Sequence, residues 1–142
     1  MSVGKSASGF KQVRVFEVVQ QKYKNDVWEN LLRNPDIPLT CYDYWLTEEK
    51  INNVFEAKKT VKQYVWVLHD KDIYLEGDKI PEGRSVGDRK PPHFHIYGRC
   101  DDKVSLDRIA RWFGVPVNCV APKGGYGAFY DSIEYATHES LK

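Results

Sequence analysis

The sequence predicts an α+β domain built on a mainly antiparallel sheet, and three observations predict it. Segments with strand-like and helix-like patterning run strand, helices, strand, strand, helix, strand, helix, without the regular alternation of a doubly wound parallel sheet. Gln63-Tyr-Val-Trp-Val-Leu-His69 is largely apolar on both of its alternating faces, which reads as a central strand under covering layers. No glycine-rich phosphate loop of the nucleotide-binding kind is present, because Pro122-Lys-Gly-Gly125 lacks the spacing and reads as a turn.

The elements follow in order. Lys11 to Val19 is rich in β-branched residues, with Val13 and Val15 alternating against Arg14 and Phe16, and reads as a strand. Asp26-Val-Trp-Glu29 has capping-box spacing ahead of Leu31 and Leu32, so a short helix is expected there, ended by Pro35. Residues 34–46 carry two prolines with Tyr42, Tyr44 and Trp45 and read as an aromatic-bearing loop. Thr47 is placed to cap a second helix in which Ile51, Val54 and Phe55 share a face. After the 63–69 strand, residues 73–92 are polar and rich in glycine and proline. They read as a connection with short β pairing that leads into a strand over His93–Arg99. Ser105 caps a third helix with Leu106, Ile109, Ala110 and Phe113 as its stripe, closed by Gly114 and Pro116. Val117–Val120 is a short strand, and Tyr126–Glu139 a last helix with Tyr126, Phe129, Tyr130, Ile133 and Ala136 packing inward.

At 142 residues the chain is expected to form one domain over 10–142, preceded by a flexible tail over 1–9. Lys and Arg total 21 against 20 Asp and Glu, a net charge of +1. That balance lacks the strongly basic signature of many nucleic-acid binders, although one basic groove offset by acids elsewhere gives the same sum. Cys41, Cys100 and Cys119 are odd in number and widely spaced, with no C-x-x-C, so buried, reduced thiols and a cytoplasmic setting are expected. The first nine residues lack the apolar core of a signal peptide, and no apolar run is long enough to cross a membrane.

The chemistry-bearing pattern is Pro92-His-Phe-His-Ile-Tyr97. On a strand, side chains two apart share a face, so His93 and His95 stand together while Phe94 and Ile96 turn to the core. Alone, such a pair is better explained by two polar positions on a solvated face. The company it keeps argues further. If the 63–69 and 93–99 strands are antiparallel neighbours, the end of one lies beside the start of the other, bringing His69 to the pair. Asp72, three residues on, can curl back to offer a hard oxygen. Three imidazoles and a carboxylate suit a divalent cation with positions open for substrate. On the last helix Tyr135 points away from the apolar stripe, near Asp131 and His138, free either to react or to sit in water.

Leu68-His-Asp-Lys-Asp72, Lys90-Pro-Pro-His-Phe-His95 and Glu134-Tyr-Ala-Thr-His-Glu-Ser140, in this order, resemble the motif series of plasmid rolling-circle replication initiators in the HUH endonuclease superfamily. The resemblance runs from about residue 63 to the end. It implies a five-stranded antiparallel sheet flanked by helices, and sequence-specific nicking and joining of one DNA strand at an origin. His93 and His95 would be paired ligands, with His69 and Asp72 completing a Mn²⁺ or Mg²⁺ site. Tyr135 would attack phosphorus and keep the 5′-phosphate, with His138 orienting the phenol or the phosphate. Ala136 stands where the family commonly has a larger aliphatic, and the stretch between the first strand and residue 63 is longer than in the minimal family domain.

The implied partners are single-stranded and origin duplex DNA, with host replication proteins a further class. On charge and expected exposure alone, Lys103, Arg108, Arg111 and Lys123 are the candidate DNA contacts. Two other functions compete. A transposase or conjugative relaxase of the same superfamily would use related chemistry. A non-catalytic nucleic-acid-binding module would hold a structural metal and stack bases on its tyrosines and tryptophans.

Overall fold

In the computed structural model, which describes residues 10–124, 127, 129–131, 133 and 134, the strand-forming segments are β1 (Gln12–Gln21), β2 (Val61–His69), β3 (His93–Ser105) and β4 (Val120–Pro122). They form an antiparallel sheet in the order β2-β3-β1-β4. Helices α1 (Asn25–Arg33), α2 (Glu48–Ala57) and α3 (Leu106–Phe113) flank it, giving an α+β fold. Among the described residues the sheet has four strands, one fewer than the resemblance implies.

The core lies on one sheet face. Phe16, Val18, Phe94, Ile96 and Cys100 meet Ile51, Val54 and Phe55 of α2 and Ile109, Ala110 and Phe113 of α3. The second face carries a smaller cluster, Val15, Tyr97 and Phe129, with Val65, Val67 and Ile133 packed against it. This two-sided cover corrects the place assigned to β2. Its residues are apolar on both faces because Tyr64 stacks on Phe55 of α2 while Val65 and Val67 meet the Phe129 cluster, yet among the described residues the strand lies at the sheet edge. Cover from above and below, rather than a central position, produces the pattern.

The face assignment in β1 is corrected by an irregularity in its pairing. Val13 pairs with Val104 and Val15 with Arg99, so β3 carries extra residues, and the shift puts Phe16 on the core side with Val13 while Val15 turns to the other face. The same extra residues explain why β3 runs past Arg99. Asp101, Asp102 and Lys103 bulge into solvent before Val104 returns to the core.

Local chemistry fixes the helices. Thr47 Oγ1 accepts a hydrogen bond from the Lys50 amide at the start of α2. Gly114 closes α3 with φ 68°, a left-handed turn that glycine adopts without penalty. α1 starts one residue before the expected cap, so Asp26 lies in its first turn and accepts from the Val27 amide instead of closing a capping box. Val117–Cys119 is a 3₁₀ turn, and only Val120–Pro122 pairs as strand. The 73–92 connection has the expected short pairing, an Ile73–Arg89 bridge, and Arg84 ties it to Glu29 of α1. Of the last helix, residues 127, 129–131, 133 and 134 are helical. Phe129 packs inward, but Tyr130 is exposed, with its hydroxyl donating to Gln63 Oε1 at 3.5 Å. The expectations for residues 1–9, Tyr126 and Ala136 lie outside the described residues. Of the cysteines, Cys100 is buried, Cys119 half-buried and Cys41 exposed, which corrects the expectation that all are buried.

Gly98 is where close approach demands glycine. It sits on the core face of β3 directly opposite Phe16, and a Cβ built there would run into the Phe16 ring at Cζ and Cε2. Gly98→Ala is therefore expected to lower unfolding stability by about 1–3 kcal/mol, the usual cost of overpacking. Gly127→Ala, whose Cβ meets nothing within 4 Å, serves as the control in urea unfolding. Equal stabilities for the two variants would refute the role given to Gly98.

Candidate metal centre

The site grows from strand register. His93 lies directly opposite His69 across the β2–β3 ladder, and His95 opposite Val67, so the end of β2 and the start of β3 deliver three imidazoles to one place. All three are on the face away from the main core. Ring centroids are 4.5 Å apart for His69 and His95, 5.1 Å for His93 and His95, and 5.2 Å for His69 and His93. One nitrogen from each ring lies within 4.8 Å of the others. Neighbouring Tyr97 is buried in the Phe129 cluster, so the apolar cover of this face ends where the histidines begin.

Oxygens hold the rings. Asp72 Oδ2 lies 3.6 Å from His69 Nδ1 and 3.8 Å from His93 Nε2, at the rim of the triad. His93 Nδ1 is 3.1 Å from the Pro91 carbonyl, which can only accept, so this nitrogen donates and Nε2 keeps its lone pair. His95 Nδ1 is 3.5 Å from Glu17 Oε2 and bonds to it in the same sense. Burial pushes the His93 imidazole below its ordinary pKa, partly offset by the Pro91 bond, and so favours the neutral ring that ligates metals. Three convergent imidazole nitrogens with hard oxygen at the rim fit a divalent cation, and the His69–His93–His95 cluster could coordinate one.

Glu17 was missed by sequence reasoning. It projects from the middle of β1, opposite Tyr97, and joins His95 to Lys123, whose Nζ is 3.8 Å from its other oxygen. Its carboxyl is held below the usual carboxylate range, first by the bond from His95, then by Tyr97 and Lys123, against the opposing effect of burial. A carboxylate between Phe16 and Val18 in a valine-rich strand was the available signal. Only the β1–β3 register tells which histidine it meets. Because an outer partner fixes the tautomer and direction of a ligating ring, Glu17→Gln should weaken Mn²⁺ binding by about 10–100-fold, read by calorimetric titration. Unchanged affinity would remove Glu17 from the site.

Other expected residues divide. Lys123 comes to the site through Glu17. Lys103 lies on the distal bulge of β3, and Arg108 and Arg111 on the outer side of α3, across the sheet from the histidines. Tyr135 and His138 lie outside the described residues. Cys100, the cysteine nearest in sequence, cannot join the cluster: it faces the core, and burial pushes its thiol up to about 11. A cavity of about 360 Å³, lined by Val19, Gln20, Gln21, Tyr74, Lys90, Pro91 and His93, opens beside the triad.

No family model matches the chain, and no solved structure matches it significantly. Over 95 residues, 66% of its length, the chain is 38% identical to a protein described as "Replication protein" from Onion yellows phytoplasma (strain OY-M). It covers about a quarter (25%) of that protein's length. Among the described residues no helix is long and apolar enough to cross a membrane.

Proposed function

We propose that residues 10–142 form a metal-dependent endonuclease domain of the HUH type, which nicks and rejoins one DNA strand to start rolling-circle replication. The observation that carries this reading is the convergence of His69, His93 and His95, on the motifs that resemble the family, in a chain similar to a replication protein. In this reading the three histidines, with Asp72 at the rim, hold Mn²⁺ or Mg²⁺. Bound there, the cation would polarise the scissile phosphodiester and offset charge developing on its oxygens.

The chain's own residues do the rest. Glu17 and the Pro91 carbonyl keep His95 and His93 aimed at the site. Lys90, beside the 360 Å³ cavity and 3.5 Å from Asp78, supplies positive charge where a strand would pass His93. Tyr135, deprotonated, attacks phosphorus; the bond to the 3′-oxygen breaks, that oxygen takes up a proton, and the 5′-phosphate stays on the phenol. Joining is the reverse, with a 3′-hydroxyl displacing the tyrosine. His138 orients the phenol or the phosphate.

The test is intact-protein mass spectrometry after incubation with single-stranded DNA from the replicon's origin and Mn²⁺, followed by peptide mapping. A covalent nucleotide adduct that needs the metal is expected. DNA bound without any adduct would favour the non-catalytic module, and an adduct undiminished in EDTA would rule out the metal role.

A further inference from the structure

A second site stands on the opposite side of the sheet. Helices α2 and α3 meet over the main core, and between them a cleft of about 550 Å³ is lined by Lys50, Lys58, Arg108, Arg111 and Trp112, with buried Val54 among its lining residues. Four cations and no carboxylate line it, in a chain whose net charge is only +1. Among the described residues, Lys50, Lys58 and Arg108 make no ion pair; Arg111 is held by Asp107 at 3.2 Å and is mostly exposed. Arg108 and Arg111 are three apart on α3 and so project side by side. We propose that this cleft binds the phosphate backbone of duplex nucleic acid, separately from the histidine site.

The cleft's aromatic residue argues for backbone rather than base recognition. Trp112 packs edge-on against Phe16, at 6.3 Å between ring centroids, and Lys58 lies over its ring at 5.9 Å. The ring is committed, and stacking an unpaired base needs an open face. Side chains that end in charge, on two rigid helices, suit phosphates and carry no sequence information. The choice of nucleic acid over another polyanion rests on the function proposed above; the cleft itself does not depend on the histidines. Bound here, duplex DNA would be held by one face of the domain while a single strand reaches the other.

The experiment measures binding of a random-sequence duplex by fluorescence anisotropy across a salt series, for the wild type and for Lys50→Gln/Arg108→Gln. Each phosphate neutralised contributes about 0.9 to the slope of log affinity against log salt. The double variant should lose about 1.8 from the slope, so that its affinity deficit relative to the wild type is greatest at 50 mM salt and narrows roughly tenfold by 200 mM. Its Mn²⁺ affinity and its adduct yield on a short single strand should equal those of the wild type. Retention of the full slope overturns the proposal, as does wild-type protein that binds poly-glutamate as tightly as duplex through the same two residues. Duplex binding that follows the prediction in a protein forming no adduct would sink the nicking reading and leave the cleft standing.

Discussion

Alanine at His93 or His95 is expected to lower Mn²⁺ affinity by more than about 100-fold, beyond the range for losing an outer partner alone, and to abolish metal-dependent cleavage. The two rings sit half-buried on one strand, 5.1 Å apart, and each is oriented by its own oxygen, Pro91 for one and Glu17 for the other. Removing either ring leaves two nitrogens and takes away the geometry that distinguishes a chelating cluster from separate surface imidazoles. Neither side chain belongs to the two packed clusters, so circular dichroism and thermal unfolding should change little. Affinity for duplex DNA should also persist, since the α2–α3 cleft lies across the sheet. His69→Ala is a harsher test, because His69 is buried and its loss opens a gap beneath the other two. Calorimetry with Mn²⁺, paired with cleavage of a labelled single strand, reads both effects. Tight binding retained in His95→Ala would mean that the cation sits elsewhere.

Much of this site was legible because its logic is one-dimensional. Alternation on β3 separates His93 and His95 from Phe94 and Ile96, and antiparallel neighbours must bring the end of β2 to the start of β3. Glu17 was not legible, because its place depends on which strand lies on the other side of β3 and in which register. The order β2-β3-β1-β4 sets that, and nothing local to Glu17 encodes it. The misplacement of β2 has the same origin. Burial on both faces writes the same apolar pattern into an edge strand under two layers as into a central one. Tyr130 was expected to pack because it lies on the helical stripe of Phe129, but Phe129 fills the sheet contact and Tyr130 turns toward Gln63 at the β2 edge.

Tyr130 is the natural control for the nucleophile, because its position is known and its hydroxyl already has a partner in Gln63. Tyr135→Phe removes one oxygen and keeps the ring, so the stability of the domain should be unchanged. The covalent adduct should then fall below detection, since no other group is assigned to attack phosphorus. Tyr130→Phe costs at most the weak bond to Gln63 and should leave the adduct intact. His138→Ala separates positioning from attack: an orienting imidazole should slow adduct formation without preventing it. A free phenol titrates near 10, so the proposed attack at neutral pH would demand a base or a positive field close to the hydroxyl. Raising the pH should rescue a variant that has lost such help, and should never rescue one that lacks the oxygen. Mapping the adduct by mass spectrometry in these three variants decides the assignment: nucleotide on Tyr130 in Tyr135→Phe protein would transfer the attacking role to the exposed tyrosine.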